Sequence, residues 1–189
     1  MSRQRRIIFL IGLPACGKTT LGNALAASAA TDCPITFADL DHEIEAREGI
    51  SVSQIFNLRG EPYFRALESS TLRLIADTPG HSPLVIACGG GTPCSEDNIA
   101  FMLSRGLVVE LRASRQATIR RLLEAPPKQR PLVAKVHGSP DLLAREIEAL
   151  DIRRRPWYAR AHASFDSTRL ETPGEVADTC ARFRRTFNL

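Results

Sequence analysis

The chain lacks the features that mark membrane, disulfide-rich or metal-centred proteins. None of its apolar runs approaches the ~20 residues that a helix needs to span a bilayer. Its five cysteines include no C-x-x-C pair, and its four histidines form no ligand cluster. We therefore expect a cytoplasmic protein in a reducing compartment, with no disulfide framework and no binding to membranes.

The chain also has only a small excess of charge of one sign. The formal net charge of the 189 residues is +4, and arginine supplies most of the positive side chains. The sequence has no long basic run with interleaved aromatic residues, so we expect no nucleic-acid partner. Arginine suits smaller anions, because its planar guanidinium recognises phosphate and carboxylate through paired hydrogen bonds.

The most informative stretch is Gly-Leu-Pro-Ala-Cys-Gly-Lys-Thr at residues 12–19, which fits the phosphate-loop pattern G-x-x-x-x-G-K-[ST]. An apolar, β-branched run precedes it and a helical pattern follows it, as a phosphate loop requires. Two interpretations of Cys16 stay open: a thiol made reactive by Lys18 and the helix N-terminus, or an inward-facing loop residue. The candidate ATP-binding residues of the loop are Gly12, Pro14, Ala15, Cys16, Gly17, Lys18, Thr19 and Thr20.

Strand and helix patterns alternate along the chain, which predicts an α/β domain with a parallel sheet between two helical layers. We expect a single domain over residues 1–189. The region 113–138, which contains a proline-rich charged stretch, is either a mobile lid or a plain surface loop. The predicted strands cover residues 6–11, 34–38, 83–87, 107–112 and 163–166. The predicted helices cover residues 18–30, 41–48, 51–58, 61–77, 95–105, 114–124, 139–150, 151–162 and 173–186.

Two further groups follow predicted strands, at the sheet edge where α/β proteins bind ligands. Asp39 and Asp41 follow the second strand. They could serve Mg²⁺ and an acceptor hydroxyl, or one of them could simply cap the next helix. Gly89, Gly90 and Gly91 follow the third strand. They are either a flexible turn or a place where a substrate approaches the backbone closely.

Taken in order, these motifs resemble those of the shikimate kinases over nearly the whole chain. The resemblance implies a nucleoside-monophosphate-kinase-like fold with strand order 2-3-1-4-5. It also implies transfer of the ATP γ-phosphoryl group to the 3-hydroxyl of shikimate. The residues that carry it are the loop at 12–19, Asp39-x-Asp41, Gly60-Glu61 with Phe64-Arg65 and Glu68, Gly89-Gly90-Gly91, Arg130-Pro131-Leu132, and Arg154-x-Pro156-x-Tyr158.

The resemblance also implies roles for single residues, with the substrate-binding helices at about residues 41–78. By the motif positions, Lys18 holds the β- and γ-phosphates, Thr19 and Asp39 serve Mg²⁺, and Asp41 orients or deprotonates the acceptor hydroxyl. Arg65 and Arg154 bind the substrate carboxylate with help from Gly89, Gly90 or Gly91, and Arg130 joins the phosphates from the lid. Phe56 and Phe64 wall the substrate site, and Glu68 orients Arg65.

Two other functions fit parts of the pattern. One is a different small-molecule kinase of this fold, such as a gluconate kinase. The other is a nucleotide-binding module without catalysis. The paired arginines Arg65 and Arg154 favour a carboxylate-bearing acceptor, and Lys18, Asp41 and Arg130 together favour catalysis. No interface pattern stands out, so we expect a monomer.

Overall fold

A computed structural model of the chain describes residues 5–28, 34–125, 136 and 139–189. Its five strands form one sheet in the order β2-β3-β1-β4-β5, and every neighbouring pair is parallel. The predicted class and strand order are therefore confirmed. The strands are β1 (Ile7–Ile11), β2 (Thr36–Asp39), β3 (Leu84–Ala87), β4 (Leu107–Arg112) and β5 (Ala163–Asp166).

Helices cover both faces of this sheet, as expected when each strand is connected to the next by a crossover. The helices of the described residues are α1 (Lys18–Ala27), α2 (Leu40–Glu48), α3 (Val52–Asp77), α4 (Glu96–Arg105), α5 (Arg115–Glu124), α6 (Pro140–Tyr158) and α7 (Pro173–Phe187). Alternate residues of β1 face opposite layers: Phe9 packs with the cluster beneath α3, and Leu10 packs with the cluster beneath α1.

The region 51–77 was predicted as two helices, 51–58 and 61–77, and the structure has two helical segments that meet at a kink and are described together as α3. Ser51 begins α3 with a capping box, in which its hydroxyl accepts from the Gln54 N–H and the Gln54 side chain accepts from the Ser51 N–H. Gly60 has φ 78° and ψ 169°, which is not helical, and Pro62 follows it. The predicted break between residues 58 and 61 is therefore confirmed.

The region 139–162 was also predicted as two helices, and it forms the single helix α6, which ends at Tyr158. Pro156 lies inside the last turn without ending the helix. The bounds of β4 and β5 are those predicted, and the remaining bounds differ from the predicted ones by at most three residues. The expected lid falls partly on α5. Most of its other residues, with Arg130, lie outside the described residues, so the lid and the single domain stay predictions.

No helix in the part of the chain that the structure describes is both long enough and apolar enough to cross a bilayer.

One close packing contact allows a direct test of the fold. Gly22 is buried in α1, and a Cβ added there would overlap the Phe37 ring of β2. We expect Gly22→Ala to lower the free energy of unfolding by about 1–3 kcal/mol, because overpacking forces side chains or backbone to move. Urea denaturation measures the change.

Gly174 provides the matched control. It lies in the first turn of α7, and a Cβ added there would meet no atom within 4 Å. Gly174→Ala should leave stability unchanged or raise it by up to about 1 kcal/mol, because alanine loses less backbone entropy in a helix. Equal effects of the two substitutions would contradict the packing of α1 against β2.

Candidate active site

The phosphate loop joins β1 to α1 and needs glycine at two positions. Gly12 has φ 140° and Gly17 has φ 98°, both in the region that side chains disfavour. Lys18 folds back over the loop, and its Nζ donates to the carbonyl oxygens of Gly12 (3.1 Å) and Leu13 (3.0 Å). No side chain of the described residues caps the N-terminus of α1, so its first N–H groups face the loop, where an anion can bind them.

A pocket of about 440 Å³ opens beside this loop. Its residues are Ala15, Gly17, Lys18, Thr19, Thr20, Arg121, Glu124, Leu170 and Glu171. Arg121 of α5 closes one side and donates to the carbonyl oxygens of Ala15 (3.3 Å) and Thr168 (2.6 Å). Arg121 was not among the predicted site residues, because one arginine on a helix carries no distinctive signal. The pocket is therefore formed by the phosphate loop, α5 and the segment after β5.

The structure favours one interpretation of Cys16. Its side chain is only 1% exposed, and the Lys18 Nζ lies 3.5 Å from the Sγ. The Cys16 carbonyl accepts a bond of 2.7 Å from the buried Ser167 hydroxyl, which ties the loop to the segment after β5. Because alkylation requires access, this arrangement supports the inward-facing loop residue rather than the reactive thiol.

Asp39 fits both of the functions that its sequence position left open. Its Oδ1 caps α2 by accepting from the backbone N–H groups of Asp41 (3.1 Å) and His42 (3.3 Å). Its Oδ2 accepts from the Thr19 hydroxyl at 2.6 Å. A hydroxyl and a carboxylate that meet beside a phosphate loop fit Mg²⁺, which takes few protein oxygens and completes its shell with water and substrate phosphates.

Asp41 lies in the first turn of α2 and is largely enclosed. Burial raises its pKa to about 6, and the negative charges of Asp39 and Glu68 act in the same direction, whereas Lys18 opposes them. A Cβ added at Gly89 would lie 3.0 Å from the Asp41 Oδ1. The carboxylate therefore faces the glycine run and belongs to the same site.

Two guanidinium groups approach the next two glycines. A Cβ at Gly91 would lie 2.9 Å from both terminal nitrogens of Arg65, and a Cβ at Gly90 would lie 2.5 Å from the Arg154 Nη1. That Nη1 is buried and has no hydrogen-bond partner among the described residues. The two guanidinium groups therefore lie directly against the backbone of the glycine run. Two cations placed in this way can bind an anion between them.

A buried network lies behind Arg65. Glu68 is 1% exposed; its Oε2 accepts from the Arg65 Nη1 (2.8 Å), and its Oε1 accepts from the Thr92 hydroxyl (2.6 Å). Burial alone would lower the pKa of Arg65, but its bonds to Glu68 and Glu61 raise it, so the group stays cationic. The Asn98 Nδ2 donates to the Thr92 carbonyl at 3.0 Å. Neither Thr92 nor Asn98 was predicted as a site residue, because a polar residue beside a glycine turn is common.

Aromatic rings complete this part of the site. The rings of Phe56 and Phe64 pack with centroids 4.5 Å apart, and the Arg65 guanidinium lies over both, 5.9 and 5.2 Å from the centroids. Such contacts favour one position of the cation. Phe56 and Phe64 therefore lie beside the expected carboxylate site.

Comparison with known proteins places the chain in a family. The family model described as shikimate kinase matches residues 14–184. A shikimate kinase of Parabacteroides distasonis is 38% identical over 90% of this chain and 93% of its own, and one of Chromohalobacter salexigens is 38% identical over 96% and 92%.

Solved structures agree with the sequence relatives. A shikimate kinase from Bacteroides thetaiotaomicron has a TM-score of 0.86 at 34% identity, covering 97% of this chain and 99% of that one. A shikimate kinase from Acinetobacter baumannii in complex with shikimate has a TM-score of 0.77 at 28% identity, covering 97% and 93%. With the phosphate loop, the paired carboxylates and the two arginines in place at one sheet edge, the chain belongs to the shikimate kinase family.

Proposed function

We infer that this protein is an ATP-dependent shikimate kinase, which transfers the γ-phosphoryl group of ATP to the 3-hydroxyl of shikimate and releases ADP. The observation that supports this conclusion is that the anion site at the glycine run adjoins the phosphate loop. A Cβ at Gly90 would contact the Arg154 guanidinium on one side and lie 3.5 Å from the Gly12 carbonyl on the other. The anion site and the phosphate loop therefore adjoin, as direct phosphoryl transfer requires.

The phosphate loop would bind ATP through its backbone N–H groups, with Lys18 beside the β- and γ-phosphates. Because the Lys18 Nζ now bonds to the Gly12 and Leu13 carbonyls, those bonds would be exchanged for bonds to phosphate. Thr19 and Asp39 would hold Mg²⁺, which supplies charge neutralisation of the phosphates when bound. Arg130 would add a further cation from the lid.

At the acceptor, Asp41 would bind the hydroxyl to be phosphorylated. A pKa near 6 makes this carboxylate a better base than an ordinary aspartate, although it is still mostly ionised at neutral pH. Arg65 and Arg154 would bind the shikimate carboxylate with N–H groups of residues 89–91. The carboxylate and the reacting hydroxyl would then be held by separate groups, which orients the acceptor.

A coupled assay of ADP release tests the function. We expect release with shikimate, and only background release with gluconate or with no acceptor. Turnover with gluconate alone would indicate a related sugar-acid kinase, and ATP binding without any turnover would indicate a nucleotide-binding module.

We also propose that the protein acts as a cytoplasmic monomer and binds neither nucleic acid nor membranes. Sedimentation analysis tests the monomer.

Replacing Lys18 tests the nucleotide site. We expect Lys18→Ala to lower the turnover number by at least about 10²–10³-fold, because one fixed donor to the developing charge is lost. Shikimate binding, measured by calorimetry without nucleotide, should survive, since Lys18 contributes charge rather than packing. Near-normal turnover by the folded variant would rule out this role.

Replacing Asp41 should separate activity from stability. We expect Asp41→Asn to lower kcat far more than ATP affinity. The same variant should be more stable than the parent at neutral pH, by on the order of 1–3 kcal/mol, because the native state no longer holds a buried charge.

The pH dependence of this gain follows from the raised pKa. Between the unfolded value of 3.8 and the native value of about 6, the native state binds more protons, so the parent loses stability as the pH rises. The gain of Asp41→Asn should therefore be full above about pH 7 and nearly vanish at about pH 4. Urea denaturation without Mg²⁺ measures it, and a gain that persists at low pH would contradict burial of the charge as its cause.

Replacing the arginines tests carboxylate recognition. We expect Arg65→Ala and Arg154→Ala each to raise the shikimate KM by about 10–150-fold, the equivalent of a charge-assisted contact worth roughly 1.5–3 kcal/mol. Arg153 is exposed on the same helix as Arg154, so Arg153→Ala is the matched control and should change the KM little. A large effect of Arg153→Ala instead would shift the assignment by one residue.

A further inference from the structure

Three successive arginines on α6 have three different environments. Arg153 is exposed to solvent, and Arg154 points at Gly90. Arg155 forms ion pairs with Glu110 of β4, at 2.7 Å, and with Asp151 one turn earlier on its own helix. Successive residues of a helix point about 100° apart, so the direction of any one of them fixes the directions of the other two.

The buried carboxylate of Glu110 holds the Arg155 side chain toward β4. Glu110 is only 6% exposed. It lies on the same face of β4 as Val108, which belongs to the apolar cluster beneath α3. A carboxylate in such a place is costly unless a cation is paired with it. The Arg155 Nη1 is close enough to the Glu110 Oε1 for a hydrogen bond, whereas the next cation among the described residues, the Arg112 Nε, lies 3.9 Å from the same oxygen.

A second contact holds the same turn of α6. Tyr158 is fully buried, and its hydroxyl donates to the Gly90 carbonyl at 2.7 Å. Pro156 lies between the two contacts and removes one backbone donor from the helix, which weakens the helix's own support there. The orientation of this turn therefore depends on what it touches outside the helix.

We propose that the Arg155–Glu110 ion pair is a positioning clamp for shikimate recognition. By attaching α6 to β4, it sets the rotation of the helix and aims the Arg154 guanidinium at the glycine run. Arg155 and Glu110 are positioning residues that need not touch the substrate. Because this role rests on the proposed function, in which Arg154 binds shikimate, the two ideas need separate readouts.

The test is a double-mutant cycle of Glu110→Gln, Arg155→Met and their combination, with Arg153→Met as the control on the same helix. Calorimetry measures shikimate affinity, and steady-state assays measure the KM of each substrate and kcat. We expect each single variant to weaken shikimate affinity about 3–30-fold, with less than additive effects in the combination. The ATP KM should stay within about twofold of the parent value, because neither residue is coupled to the nucleotide site. Arg155→Lys should recover part of the loss.

The outcomes separate the possibilities. A clamp that only stabilises the fold would lower the melting temperature and leave shikimate affinity unchanged, or would disturb both substrates equally, and either result overturns the proposal. If Glu110→Gln fails to fold, Arg155→Met and Arg155→Lys decide the question, since Arg155 is partly exposed. If the parent protein itself neither binds nor phosphorylates shikimate, the proposed function is wrong. That result is obtained from the parent protein alone, so it is distinct from a failure of the clamp.

Discussion

The site depends on a stretch of backbone without side chains at the end of β3. Asp41 and Glu68 approach Gly89, Arg154 approaches Gly90, and Arg65 approaches Gly91, and a Cβ at any of these glycines would lie within 3.0 Å of a charged group. Contacts that short are rarely compatible with a side chain, so any substitution would push at least one charge out of place. The glycines thus allow opposite charges to meet with the backbone amides within reach.

These charges stabilise one another unequally. Glu68 is buried between the Arg65 guanidinium and the Thr92 hydroxyl, and so its two oxygens are satisfied. Asp41 lies close to two like charges, and burial raises its pKa. The fold therefore bears an electrostatic cost at Asp41, while Glu68 is satisfied and holds Arg65 in place. Strongly perturbed pKa values of this kind cluster at functional sites.

The parallel sheet, the phosphate loop and the glycine run could be predicted from local patterns, whereas the strand order was implied by the resemblance to the shikimate kinases. A phosphate loop between a strand and a helix, or glycines after a strand, can be recognised from residues close in sequence. Arg121, Thr92 and Glu110 could not be recognised in this way, since each acquires its role from a partner at least 24 residues away. The break in α3 at Gly60 could also be predicted locally, because glycine followed by proline disfavours a continuous helix. The predicted division of α6 between residues 150 and 151 was wrong, since no glycine or proline lies there to end the helix.

The closeness of the two ligand sites follows from the sheet itself. The phosphate loop continues β1 and the glycine run continues β3, and these strands are parallel neighbours with Leu10 opposite Ala87. Adjacent strands lie about 4.8 Å apart, so two loops that leave the same edge must begin side by side. The Gly12 carbonyl, which now accepts from Lys18, is also the backbone atom that a Cβ at Gly90 would meet. In the proposed mechanism Lys18 would leave this carbonyl for a phosphate, so nucleotide binding would change the charges beside the proposed acceptor site.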